Sequence, residues 1–296
     1  MDAVPFSFCE SVLAQLPEDN ILPDRLKTLP RQWYEAAQAC GQIVQYFVRI
    51  QEIADGMYSY EIVDPEREKW VKISDLLKID SRLVQVHEVK FQVFNEDERS
   101  TRISQEELMQ KLAPFITSLM PDPSWLIVKQ NVHPDVLAPF LNLPRTRDCA
   151  IAYVDESSME ILTKKLETTN FRRLCIEGNW PDQLHELLLP LIKSGSLQNI
   201  TIAGDLPIDY VAAAFSRWKE TGGEAKFDFS GACNDQTVLE VLEKSSECGI
   251  REYLTHQEET QPSLIGGLAH KKIVFEIGGN VLSCDFISSL FIVYSS

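Results

Sequence analysis

The chain has 296 residues, 44% hydrophobic and 24% charged, with a formal net charge of −16. That is ordinary globular composition, enough for one large core or two domains. No basic stripe or tail is present, so binding to a phosphate backbone is not expected. The most apolar stretch, 286–294, has nine residues and cannot span a bilayer as a helix, so no membrane partner is expected either.

Residues 1–45 read as short helices punctuated by Pro17, Pro23 and Pro30. Phe8, Val12 and Leu16 fall at helical spacing, with Leu13 adjoining. Near 32–44, Trp33, Ala36, Ala37, Cys40 and Ile43 mark a last helix of this segment. With Asp2 and Glu10 and no basic stretch, the opening does not read as a secretory leader, so a cytoplasmic or nuclear location is expected.

Residues 46–120 switch to period two. Tyr46-Phe-Val48-Arg-Ile50, Tyr58-Ser-Tyr60-Glu-Ile62 and the run Val84 to Val93 read as strands. Asp55-Gly56 reads as a turn between the first two, and 70–83 as an amphipathic stretch. Ser104 to Leu119 reads as a helix, opened by a capping box of Ser104 and Glu107. Met120-Pro-Asp-Pro123 is the strongest boundary signal.

Residues 121–296 carry a repeat. Phe171-x-x-Leu174-x-Ile176-x-Gly178-Asn179-Trp180-Pro181 lies over Leu197-x-x-Ile200-x-Ile202-x-Gly204-Asp205-Leu206-Pro207. Further anchor pairs are Trp125/Ile127, Cys149/Ile151, Phe227/Phe229, Tyr253/Thr255 and Ile273/Phe275. Helical patterns follow most of these pairs, at 157–166, 183–193, 210–219 and 235–244. Each unit is thus a strand, a turn and a helix of about 25 residues, a period that marks repeat architectures. Phe171 to Asn179 is similar to the first nine positions of the leucine-rich-repeat consensus LxxLxLxxNxL, after which Pro181 replaces the last Leu. The expected fold is therefore α/β: an irregular leucine-rich-repeat-like arc, preceded by a helical segment (1–45) and a small strand-rich region (46–120).

Met1-Asp-Ala-Val-Pro5-Phe-Ser-Phe8-Cys-Glu-Ser-Val12-Leu13, together with Phe171 to Pro181, resembles a nematode-expanded family of F-box-like proteins. The resemblance implies that Pro5, Phe8, Val12, Leu13 and Leu16 form a helix docking on the adaptor subunit of a cullin-based ubiquitin ligase. The Val-Cys-xx-Trp signature of an F-box is absent, and Trp33 precedes Cys40. Two readings of the segment stay open: adaptor docking, and plain capping of the repeat stack.

Chemistry-bearing motifs are sparse. The chain has no P-loop, HExxH or GxSxG pattern. Its five histidines are scattered and its seven cysteines form no CxxC. No metal, cofactor or catalytic residue is expected. The expected site is instead a partner-binding surface on strand positions beside the anchors: Ala150, Ala152, Cys175, Glu177, Thr201, Ala203, Asp228, Ser230, Val274 and Glu276. The functional expectation is a non-catalytic substrate receptor for a ubiquitin ligase, or a protein-interaction module with no ubiquitin link.

Overall fold

The computed structural model describes residues 8–9, 32–33, 35–36, 43–54, 56–64, 69–144, 146–168, 171, 173–232, 270–277, 280–287 and 290–295. The chain divides into two units. The first comprises residues 1–126 and 132–146, the second 127–131 and 147–296.

The first unit is built on β1 (Val44–Ala54), β2 (Met57–Asp64), β3 (Lys69–Trp70), β4 (Val84–Phe91) and β5 (Thr101–Ser104). β1 pairs with β2 antiparallel and with β4 in parallel, and β2 carries β3 and β5 antiparallel on its other edge. Period two explains the core. Tyr46, Val48 and Ile50 share one face with Tyr58, Tyr60 and Ile62, and all are buried. Val84, Val86, Val89 and Phe91 of β4 are buried with them.

Short helix α1 (Ile73–Leu76) is all that forms a regular α-helix in the amphipathic 70–83 stretch. A helical run then follows β5: α2 (Gln105–Glu107), a wider π-turn at Leu108–Leu112, and α3 (Ala113–Leu119). Ser104 starts it as the capping box predicts, its hydroxyl accepting from the Glu107 amide at 3.2 Å. Leu108, Leu112, Ile116 and Leu119 supply its buried stripe. In α4 (Pro134–Leu141), Phe140 meets Phe91 edge-on at 5.5 Å.

The opposite face of β1 and β2 is polar yet largely buried. Arg49 lies opposite Glu61, and Gln51 opposite Ser59. The segment 92–100 straps this face. The Phe94 amide donates to Gln51 at 2.8 Å, and the Ser100 hydroxyl to Glu61 at 2.9 Å. Trp70 Nε1 donates to the same Glu61 carboxylate at 3.4 Å, and the Arg99 guanidinium stacks on Trp70 at 4.0 Å.

In the second unit, β7 (Asp148–Ala152), β8 (Arg173–Glu177), β9 (Asn199–Asp205) and β10 (Asp228–Ala232) are successive parallel neighbours. Helices α5 (Glu156–Thr168), α6 (Gln183–Ser194) and α7 (Ile208–Glu220) connect them. Cys149, Ile151, Leu174, Ile176, Ile200 and Phe229 point into the helix-covered face and are buried. Leu184, Leu188 and Ile192 of α6 and Val211, Ala214, Phe215 and Trp218 of α7 are buried too, at the 3–4-residue spacing read from the sequence.

The leucine-rich-repeat-like arc is overturned. An arc needs every unit to add one more parallel strand on the same side. Here the parallel run stops at β10, whose next neighbour is the antiparallel β13 (Leu290–Ser295). β12 (Asn280–Ile287) and β11 (His270–Ile277) follow, again antiparallel. Ile273 and Phe275, the last expected anchors, therefore sit in the antiparallel β11, with β12 and β13 between it and β10. Trp125/Ile127 lie in β6 (Trp125–Val128), where the two units divide. The expected Tyr253/Thr255 unit and the helix at 235–244 lie outside the described residues. The fold is a mixed α/β sheet. Apolar spacing locates strands, but their direction and partners depend on long-range pairing that spacing does not encode.

Candidate interaction face

Because the helices cover one face of β7–β10, the alternate positions define the other. The strand register brings Ala150, Cys175, Thr201 and Ser230 into one row, each directly paired with the next. Strands about 4.8 Å apart make such a row roughly 14 Å long. Exposure peaks at Thr201: Ala150 is 6% exposed, Cys175 and Ser230 are half-buried and Thr201 is open. The Ser230 hydroxyl donates to Thr201 Oγ1 at 3.0 Å, and Thr201 also hydrogen-bonds the Cys175 thiol.

The second row begins with Ala152 opposite Glu177. Ala203 is exposed farther along β9, and Asp228 is exposed opposite Asn199. Val274 and Glu276 fall in β11, separated from β10 by β12 and β13. Of the ten residues expected on one surface, eight thus lie on four adjacent parallel strands and two on a distant one. The register alone links them, since Val274, Ser283, Tyr294 and Asp228 are paired in sequence.

The face is less acidic than the sequence suggested. Lys129, just after β6, pairs with Glu177 at 2.9 Å. Arg173 occupies the same face two residues before Cys175; burial raises the Asp228 carboxyl above its ordinary value, and the Arg173 charge offsets this only in part. Arg173 was legible at period two from Cys175, one position before the first anchor of its unit. Lys129 comes from another strand end and carries no local signal.

At the carboxyl ends of β7 and β8 the rim is aromatic and polar. Tyr153 and Trp180 pack at 5.2 Å, and Trp180 Nε1 donates to the Glu177 carbonyl at 2.8 Å. Asn131 donates to Asp155 at 2.7 Å, while Asp155 accepts from the Ser157 amide and so caps α5. Gly178 makes the turn with φ +88°, its Cα facing the Tyr153 backbone.

Among the described residues, the Cys149 and Cys175 thiols are held in their protonated form. Burial pushes the Cys175 thiol up, and only in part does Thr201 draw it back. Burial pushes the Cys149 thiol, under the helices, up to about 12. Lys165 of α5 is fully buried near it, and desolvation pulls its ammonium down to about 8. No group of three or more His, Cys, Asp or Glu placed to hold a metal occurs among the described residues. Nor is any helix among them long and apolar enough to cross a membrane.

Of the expected adaptor-docking helix, Phe8 is described. It is 54% exposed and meets Trp33 edge-on at 6.3 Å, while the adjoining Cys9 is buried. Pro5, Val12, Leu13 and Leu16 lie outside the described residues. Comparison with family models, with curated proteins and with solved structures yields no match to this chain.

Proposed function

We propose that the protein is a non-catalytic protein-binding adaptor that engages its partner through the open face of β7–β10. The observation that carries this reading is the register row of Ala150, Cys175, Thr201 and Ser230. Small side chains on ordered, hydrogen-bonded strands let a partner approach closely at little conformational cost. Charges of both signs at the border, Lys129, Glu177, Arg173 and Asp228, orient the approach. The test is affinity purification of the full chain with quantitative identification of bound proteins, comparing wild type with Glu177→Lys/Asp228→Lys. The reading expects the variant to lose at least tenfold of a specific partner while keeping its circular dichroism. An unchanged partner profile overturns it.

The exposure of Phe8 favours a more specific version, in which the N-terminal segment docks on the adaptor subunit of a cullin-based ubiquitin ligase. An aromatic side chain more than half exposed is unusual in a segment serving only as a cap, because a cap buries its large apolar groups. Purified adaptor subunit should capture the wild type, and Phe8→Ala/Leu13→Ala should abolish capture. Failure of the wild type to bind leaves the protein an interaction module with no ubiquitin link.

A further inference from the structure

Beside the C-terminal ends of α6 and α7, on the helix side of the second unit, lies a cavity of about 370 Å³. Its apolar floor is Ile192, Leu197, Ala214, Phe227 and Phe229, each less than 10% exposed. Arg217, Lys226, Glu224 and Gln198 are polar side chains lining it.

Local structure holds Arg217 in place. α6 ends in a left-handed residue, Gly195, with φ +76°, and the amides of Ser196 and Leu197 return to the Leu191 carbonyl. The absence of a side chain at 195 leaves room for the guanidinium, since a Cβ there would overlap Arg217 Nε. One Arg217 N–H donates to the Lys193 carbonyl at 3.3 Å, at the negative end of the α6 dipole. A guanidinium has five N–H donors, so most remain for a ligand. Among the described residues neither Arg217 nor Lys226 is in an ion pair with a carboxylate, in a chain whose net charge is −16. Glu224 is the one acidic side chain lining the cavity. Asp209 and Glu220 border a neighbouring groove that Arg217 also lines.

We propose that this cavity binds a small amphipathic carboxylate. Its aryl or short alkyl body lies on Leu197, Phe227 and Ile192, and its carboxylate is held by Arg217 with Lys226 as second cation. The volume is near the lower end of ligand pockets and suits such a molecule. Planar, bidentate recognition of a carboxylate is the chemistry for which a fixed guanidinium is best shaped. The site is on the helix side of the sheet, so it stands or falls independently of the interaction face.

The test uses the full chain and three matched probes: 3-phenylpropionate, 3-phenylpropan-1-ol and 3-phenylpropylamine, titrated by calorimetry or chemical-shift perturbation. The acid is expected to bind at least tenfold more tightly than the alcohol or the amine. Arg217→Gln should weaken the acid at least tenfold, Lys226→Gln two- to fivefold, and Arg217→Lys should restore part of the loss, with the thermal transition retained in each. Absence of saturation by about 10 mM acid, a weaker limit than any useful affinity, overturns the proposal. Equal binding of acid and amine, or an unaffected folded Arg217→Gln, overturns it as well. Should Arg217→Gln fail to fold, the probe series on wild type and the Lys226→Gln titration decide the matter.

Discussion

Two buried groups set the most distinctive residue-level energetics. Lys165 is fully buried on the covered side of α5, and desolvation lowers its ammonium to about 8, below the value of 10.5 in an open chain. The unfolded chain therefore binds more protons between these values, and stability rises with pH there. Cys149 works in the opposite sense above pH 9, because its folded thiol keeps its proton up to about 12 while unfolded thiols ionise. Across pH 8 to 9 the Lys165 contribution should be a gain of roughly 1 kcal/mol, which Cys149 and Cys175, both raised by burial, partly offset as pH 9 is approached. Urea unfolding at the two pH values checks this, and Lys165→Met should flatten the rise. Glu61 makes the second case. It is 5% exposed, faces Arg49 at 3.9 Å and accepts from Trp70 and Ser100. Glu61→Leu takes the acceptor from Trp70 and Ser100 and releases the strap, so a loss of about 2 kcal/mol is expected. Faster amide exchange at Phe94, whose hydrogen bond belongs to that strap, would separate loosening of 92–100 from global weakening.

At the scale of elements, the glycines that revealed the repeat prove unequal. Gly178 holds φ +88°, and a Cβ on it would lie 3.2 Å from the Tyr153 carbonyl oxygen. Gly204 sits inside β9 without a positive φ, and a Cβ on it would meet nothing within 4 Å. Gly178→Ala should therefore cost about 1–2 kcal/mol, while Gly204→Ala should stay within about 0.5 kcal/mol of wild type. Chemical denaturation of both variants tests the contrast; equal losses would mean that the motif acts through something other than backbone conformation. Much of the element pattern was readable in advance. The helices expected at 157–166, 183–193 and 210–219 fall within Glu156–Thr168, Gln183–Ser194 and Ile208–Glu220. The strands expected at 46–50 and 58–62 fall within β1 and β2. These are amphipathic elements whose buried stripe repeats within a few residues, so local order suffices to mark them. The stretch 70–83 yielded only one turn of α-helix in Ile73–Leu76, because its apolar residues Leu77 and Ile79 remain exposed rather than forming a buried stripe.

For the whole molecule, the net charge of −16 is a mean field that no single ion pair offsets. Self-repulsion of this kind weakens the compact state and is screened by salt. Raising ionic strength from about 0.02 to 0.3 M should stabilise the fold by roughly 1 kcal/mol, measured as a shift of the urea midpoint. The same salt should weaken partner binding wherever Glu177 and Asp228 attract a basic surface, so the two responses have opposite signs. A partner whose affinity rises with salt would argue for a contact centred on the uncharged, exposed Thr201 and Ala203 instead.

Sequence alone determined where the chain alternates, where it coils, and which side of β7–β10 would be apolar, because these follow from periods of two and 3.6 within short windows. It also placed Ala150, Cys175, Thr201 and Ser230 at equivalent positions of successive units. Only the tertiary structure decided that these units stop after β10 and give way to an antiparallel β13–β12–β11 arrangement, since strand direction is set by which distant edge is paired. Tertiary structure likewise brought Lys129 to Glu177, buried Lys165 beside Cys149, and seated Arg217 over Gly195. Each of these joins residues more than ten positions apart, and so depends on packing that no local pattern contains.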